Sequence, residues 1–266
     1  MLGVSTTGNA TLIAYDDKPI LATDPWFGDE NSAYFGSWRL SHRIPADCKN
    51  DILNAKYIWF SHGHPDHLNG DSLQQIRGKH GLLADHVGGR IVHDLRAQGL
   101  EVTVLPDRQW VDLSPRIRVF CISTMIQDCV LLIDVNKRLF VNLNDAGSRD
   151  CTLLIRKIVA QYQHSYLMCL SGYDDADMIN FYDESGVFIV PPASQKPPVG
   201  RANELAGAIA RHRQRHAVQL VPLLSTDRFD LGAELRHTVG RVFARLRPQE
   251  PQLYPGVLTH RLRDRR

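Results

Sequence analysis

The sequence predicts an α/β (α+β) fold, a four-layer αββα sandwich in which two mixed β-sheets pack face to face between helices. Three observations predict it. In the first half of the chain, short apolar runs come in pairs joined by tight-turn residues, which is the pattern of hairpins and not of strand–helix alternation. In the last third, strand and helix patterns alternate. No linker-like stretch divides the chain, so residues 1–266 are expected to form a single domain, with a basic tail at about 256–266 that is flexible.

The elements follow in order. Ala10–Tyr15 and Pro19–Ala22 are apolar runs around Asp16-Asp17-Lys18, a hairpin signature. From Trp26 to Cys48 runs a long loop rich in glycine, serine and aromatics, including Tyr34-Phe35-Gly36-Ser37-Trp38-Arg39-Leu40; loops of that length without regular structure are usually functional or disordered, and the aromatic content favours an ordered, ligand-facing one. Tyr57-Ile58-Trp59-Phe60 is a buried strand. Short helices are expected over Asp71–Arg77 and Gly89–Gln98. Strands are expected at Glu101–Leu105, Arg116–Ile122, Val130–Asp134 and Leu139–Leu143, the last two joined at Asn136-Lys137. Asp150–Tyr162 reads as an amphipathic helix with Leu153, Leu154, Ile158 and Val159 on one side, and Tyr166–Leu170 as a strand. Residues 171–200 read as irregular. Helix Ala202–Arg213, strand Val218–Leu223 and helix Leu231–Leu246 close the chain.

Composition narrows the function. The formal net charge is only +2, which argues against nucleic acid as a partner. Residues 241–266 hold seven arginines against Glu250 and Asp264, which reads as a solvated terminus. Five cysteines form no CxxC pair and are expected to be reduced and mostly buried. The N-terminus has neither a basic nor an apolar signal region, and no apolar run reaches the roughly 18 residues of a membrane span. The expectation is a cytoplasmic protein acting on a small molecule, with a homo-oligomer compatible. Twelve histidines against those five cysteines favour imidazole and carboxylate for any metal.

One segment concentrates that chemistry. His62-Gly63-His64-Pro65-Asp66-His67 follows directly on the strand ending at Phe60. In a tight turn, alternate positions can face one side, so His62 and His64 converge on one cation while Asp66 and His67 face a neighbouring one. Four such side chains within six residues are hard to read as an incidental polar loop. By contrast His80, His86, His93 and His164 have no partner spacing and read as surface or core. Arg211, Arg213 and Arg215, beside His212 and His216, read as a solvated charge run.

This segment resembles the HxHxDH signature of the metallo-β-lactamase superfamily, and the resemblance extends over most of the chain. Thr23-Asp24-Pro25-Trp26 is similar to an early turn of several members. Asn142-Leu143-Asn144-Asp145 is similar to the strand end whose aspartate bridges two metals, and Pro222–Asp227 to the late strand end that carries the last histidine. The branch most resembled holds ascorbate-6-phosphate lactonase, N-acylphosphatidylethanolamine phospholipase D and the catalytic part of CMP-N-acetylneuraminate hydroxylase. The resemblance implies one or two divalent metals (zinc, iron or manganese) on His62, His64, Asp66, His67, Asp145 and Asp227.

Two positions depart from that pattern. No histidine stands in residues 120–127, where the third one is due; Cys121 either substitutes as a thiolate or belongs to the core. Asp227 stands where the last histidine is due, and His237, on the polar side of a helical pattern, does not replace it. The resulting set is rich in carboxylates, which favours iron or manganese more than the usual site does. Asp24 either orients a ligand histidine or caps the turn before Pro25. Trp38 and Arg43 are candidates for substrate contact.

The implied activity is hydrolysis of an ester, lactone, amide or phosphodiester by metal-activated water, with Asp66 as the catalytic carboxylate. An iron-dependent, diiron oxygenase is the first alternative, although no Cys/His pairs match a Rieske-type cluster. A degenerate binding protein of the same fold is the second.

Overall fold

Both predicted hairpins form, each turning on residues in the left-handed region. Strands β2 (Thr11–Asp16) and β3 (Lys18–Thr23) are joined through Asp17 at φ 63°. In the computed structural model, which describes residues 1–8, 10–28, 32–40, 43–125, 127–146, 150–169, 179–183, 185–189, 218–222 and 228–230, the second hairpin turns at Asn136 and Lys137, at φ 49° and 67°. Two successive positive φ values give a type I′ turn, whose twist matches that of the strands it joins. Contacts gather Met1–Leu235 into one compact unit and Arg236–Arg266 into another; all described residues belong to the first.

The chain opens with β1 (Leu2–Gly8), which the sequence reading did not anticipate. It carries Ser5-Thr6-Thr7, all buried, and those hydroxyls hide the apolar alternation that marks a strand. After β3 come two short strands, β4 (Ser32–Ala33) and β5 (Trp38–Leu40), then helix α1 (Ala46–Asn54) and β6 (Tyr57–Phe60). Helix α2 (Gly70–Gln75), β7 (His80–Leu83), α3 (Arg90–Ala97) and β8 (Glu101–Val104) follow. The second half supplies β9 (Trp110–Ser114), β10 (Ile117–Ser123), β11 (Cys129–Val135), β12 (Arg138–Asn144), α4 (Thr152–Val159) and β13 (His164–Cys169). Four more strands are described: β14 (Ile179–Tyr182), β15 (Phe188–Ile189), β16 (Val218–Pro222) and β17 (Arg228–Asp230).

The strands build a seven-stranded sheet in the order β17-β1-β2-β3-β6-β7-β8 and a six-stranded sheet in the order β16-β13-β12-β11-β10-β9. Each is mixed. In the first, β1, β2 and β3 are antiparallel and β3, β6, β7 and β8 parallel. In the second, β9 to β12 are antiparallel and β12, β13 and β16 parallel. Side-chain alternation then sorts the core into three layers. Trp59, Leu131, Ile133, Phe140 and Met168 meet between the sheets. Ile58 and Phe60, on the opposite face of β6, pack against Ile52 of α1, Leu73 of α2 and Leu95 of α3. Val130, Leu132 and Val141 pack against Ile155, Ile158 and Val159 of α4. This is the four-layer αββα sandwich.

Several expectations need correction. The loop from Trp26 to Cys48 is not without regular structure: β4 and β5 form a four-stranded sheet with β14 and β15, in the order β15-β14-β5-β4. Strands of two or three residues are too short to show alternation. The same sheet places β14 and β15 inside the stretch 171–200 that reads as irregular. In α4 the buried face is Ile155, Ile158 and Val159, while Leu153 is exposed. The expected helices Ala202–Arg213 and Leu231–Leu246 lie outside the described residues.

Candidate metal centre

His62 to His67 occupy the turn between β6 and α2, at the carboxyl ends of the parallel strands of the first sheet. The turn is fixed from inside. His67 N and Leu68 N donate to His64 O at 2.9 and 2.7 Å. Asn69 caps α2 by accepting from Ser72 N at 3.0 Å, and its amide donates to Pro65 O and Ser32 O at 3.2 and 2.8 Å. Ser72 Oγ in turn accepts from Phe27 N and Gly28 N at 2.9 and 3.0 Å, tying the turn to the chain that leaves β3.

Three ligand-type atoms converge here: His62 Nε2, His64 Nδ1 and an oxygen of Asp145 lie within 4.8 Å of one another. The two imidazole nitrogens are 2.6 Å apart, and Asp145 Oδ2 is 3.9 Å from His62 Nε2. Beside them, His67 Nε2 stands 3.2 Å from Asp66 Oδ2 and 3.4 Å from the same Asp145 Oδ2. Asp145 thus lies between a His62/His64 pair and an Asp66/His67 pair. Asp145 comes from the far sheet, just after β12, so its sequence distance from the histidines is closed only by packing the two sheets.

The opposite nitrogens are engaged from behind. His62 Nδ1 is 2.9 Å from Ser61 Oγ and 3.0 Å from Asp128 Oδ1. His67 Nδ1 is 3.4 Å from Asp24 Oδ2. Such outer partners fix the ring orientation and leave the other nitrogen free to ligate. Asp24 is fully buried and accepts from Ser61 N and Asn144 Nδ2, both at 2.7 Å. Asn144 also donates to Ser61 Oγ. Asp24 and Asn144 sit at φ 37° and 49°, so two left-handed residues, one at the end of a strand in each sheet, clamp to each other across the sandwich. Asp and Asn tolerate that region better than most residues.

Electrostatics follow from burial and proximity. Burial alone would lower the His67 pKa, but hydrogen bonds to Asp145, Asp24 and Asp66 raise it well above the ordinary imidazole value. Burial would raise Asp66 and Asp145; the His67 contacts instead hold both below the usual carboxylate range, helped at Asp66 by the Tyr34 hydroxyl. Three carboxylates around one buried imidazole give the negative potential that a cation would also meet. Asn144 Oδ1 is also buried without a hydrogen-bond partner among the described residues. The donor set therefore fits a divalent metal.

The remaining candidates separate clearly. Trp38 packs on Tyr34 with ring centroids 4.4 Å apart, and Tyr34 OH donates to Asp66 Oδ1 at 2.9 Å, so Trp38 lies one residue removed from the cluster. Arg43 is exposed, and no hydrogen bond or ion pair joins it to the cluster among the described residues. Asp227 lies outside the described residues, as does His237. Cys121 is buried between the sheets beside Cys129, whose thiol is pushed up by the Cys121 contact and by burial, as expected of core thiols rather than thiolate ligands. His86 is buried, with Nδ1 3.0 Å from Ala84 O.

Sequence reasoning missed Tyr34, Ser61, Asp128 and Asn144 as site residues. Asp128 and Asn144 flank segments already singled out, and their polar side chains at strand ends inside apolar runs were the available signal.

No protein-family profile matches the chain. A CMP-N-acetylneuraminic acid hydroxylase of Danio rerio is 24% identical over 131 residues, covering 46% of this chain and 22% of that protein. The Asterias rubens hydroxylase is 35% identical over 69 residues, 26% of this chain and 10% of its own. The chain thus spans about a quarter or less of the length of these relatives. Among solved structures, a possible metal-dependent hydrolase from Veillonella parvula superposes with a TM-score of 0.54 at 11% identity, covering 83% of this chain and 85% of that one. An isothiocyanate hydrolase from Delia radicum gut bacteria gives 0.53 at 12% identity over 82% and 84%. A variant of the CmlA β-hydroxylase gives 0.50 at 14% identity over 82% and 45%.

Proposed function

We propose, on the premise that this chain has the metallo-β-lactamase fold, that it is a metal-dependent hydrolase of a small-molecule ester, lactone, amide or phosphodiester. The observation that carries this is the convergence of His62, His64 and Asp145 beside Asp66 and His67, with the outer ring nitrogens engaged from behind. His62, His64 and Asp145 would hold one divalent cation, and Asp66, His67 and Asp145 a second, with Asp227 a further candidate. Such a cation supplies Lewis acidity and lowers the pKa of water from 15.7 towards about 7.

The chain's own residues do the rest. Asp66 Oδ2 faces the cluster, while Oδ1 is held by Tyr34 OH, so this carboxylate is oriented to position a water and accept its proton. Tyr34 and Trp38 form an aromatic wall beside His64, with the Tyr34 and His64 ring centroids 6.4 Å apart, where the organic part of a substrate can pack. Trp38 and Arg43 remain the proposed substrate contacts.

The similarity to hydroxylases supports a second reading, an iron-dependent oxygenase, because the Asp66/His67/Asp145 group offers more carboxylate than imidazole. One experiment separates the two. Protein purified without chelator is analysed for metals, then assayed on p-nitrophenyl esters, lactones and bis-p-nitrophenyl phosphate, and for oxygen uptake with a reductant. Hydrolysis abolished by Asp66→Asn supports the first reading. Two irons per chain with reductant-dependent oxygen uptake and no hydrolysis replaces it with the second. A metal-free, inactive protein rejects both in favour of a binding role.

A further inference from the structure

We propose that the cleft at the end of the second sheet opposite the metal centre binds a small phosphate-bearing anion. The cleft, of about 470 Å³, lies where the β11–β12 turn, the start of β13 and the end of α4 meet. Asn144 and Asp145 stand at the other end of β12, so this is a separate place on the molecule.

Its floor is assembled in advance. Arg118 donates from Nε to Asp134 Oδ2 at 2.9 Å and from Nη2 to Tyr162 OH at 3.2 Å, and its guanidinium lies 4.4 Å from the centre of the Trp110 ring. Tyr162 OH donates to Asp134 Oδ2 at 2.9 Å, and Asp134 Oδ1 accepts from Lys137 N at 2.7 Å. Both oxygens of Asp134, the one carboxylate lining the cleft, are therefore engaged within the floor. A guanidinium fixed in this way keeps N–H groups in a planar fork suited to phosphate.

The walls add charge without compensation. Lys137 and Arg138 come from the hairpin turn, and His164 stands opposite Arg138 in the parallel register of β12 and β13. No acidic side chain pairs with Lys137, Arg138 or His164 among the described residues. Cations gathered around a concavity repel one another and focus a positive potential that a bound anion relieves. With Arg118, Lys137 and Arg138 set against Asp134, the excess matches a doubly charged group. Gln161 and Gln163 offer neutral donors. The volume falls in the range of about 300–1,000 Å³ typical of small-molecule sites, and so leaves room for an organic body beside the phosphate. The sequence just before β16, Arg211-His212-Arg213-Gln214-Arg215-His216, lies outside the described residues and is not part of the proposed site.

The test uses the full chain, freed of metal by chelation so that phosphate has no cation to bind. Inorganic phosphate, pyrophosphate and AMP are titrated calorimetrically, with sulfate as the control anion. The expected result is one saturable site that favours pyrophosphate or AMP over sulfate. It should weaken at least tenfold in Lys137→Glu/Arg138→Glu and in His164→Glu, two independent changes in which only Arg138 is at a half-buried position, and be unchanged in His64→Ala. Circular dichroism confirms that each variant is folded. Equal binding by wild type and both variants overturns the proposal, as does binding of sulfate to the same extent. Pelleting with phosphoinositide vesicles, without binding of any free anion, overturns it in favour of a lipid surface.

Discussion

The two sheets are clamped to each other at both ends, and the two clamps are built differently. At the candidate metal centre, Asp24 and Ser61 from the first sheet meet Asn144 from the second, all of them buried. At the opposite end, Arg116 beside β10 bonds Asp16 and Asp17 in the β2–β3 turn, and Ser114 Oγ donates to Asp16 Oδ2 at 2.6 Å. There Asp17 and part of Arg116 stand in water. The same job of joining sheets is done once by wholly buried groups and once by a mixed set, in which a partly hydrated Arg116 meets the buried carboxylate of Asp16 and an exposed Asp17. Burying Asp24, Asp66, His67 and Asp128 together costs desolvation that an apolar filling would avoid.

Breaking the buried clamp should have the largest effect. Asp24→Ala leaves Ser61 N without its acceptor, takes one of the two acceptors of the Asn144 amide and removes one of the three carboxylates around His67. Urea denaturation should show a loss of about 3–5 kcal/mol, the range for breaking a buried charged pair. A loss below 1 kcal/mol would mean the buried clamp is no stronger than the exposed one.

A smaller loss is expected where one partner is half in water. Asp134→Ala removes the acceptor of Arg118, Tyr162 OH and Lys137 N. Because Arg118 remains partly hydrated, the expected cost is about 1–2 kcal/mol by the same measurement.

His64 sharpens the contrast within the candidate metal centre, since it is exposed while His62 and His67 are buried. His64→Ala should leave stability of the metal-free protein within about 0.5 kcal/mol of wild type. Its metal content by elemental analysis should nevertheless fall at least twofold. Unchanged metal content would remove His64 from the ligand set.

The smallest effect belongs to the exposed clamp. Arg116→Ala should shift the urea midpoint only slightly, and less at about 0.5 M salt than at low salt, because Ser114 still serves the buried carboxylate of Asp16 and the Arg116–Asp17 pair is exposed and screened. A large, salt-independent shift would show that exposure does not distinguish the two ends.

Much of this was legible in the chain. The Asp16-Asp17-Lys18 and Asn136-Lys137 turns announced their hairpins because so short a connection needs residues that accept positive φ. The His62–His67 segment stood out as a candidate metal centre because its ligand types are adjacent, and His62 and His64 do converge with Asp145. Other features were not legible. Strand β1 hides its burial behind hydroxyl side chains. Strands β4 and β5 are too short to show a period and gain their order from β14, far along the chain. Tyr34 and Asp128 became site residues only through contacts with partners 32 and 66 positions away, Asp66 and His62.

The sequence by itself determined the mixed, hairpin-rich sandwich and the clustering of ligand-type side chains on one turn, because both depend on local pattern: side-chain period, turn chemistry and ligand spacing. Only the tertiary structure decided which groups complete that turn. Asp145 and Asn144 arrive from the second sheet and Asp24 from a neighbouring strand, and their effect on His67 exists only once burial removes the water that would otherwise screen them. The cationic cleft at the far end was equally invisible in the sequence, since Arg118, Arg138 and His164 share no motif and meet only through the register of β10 to β13.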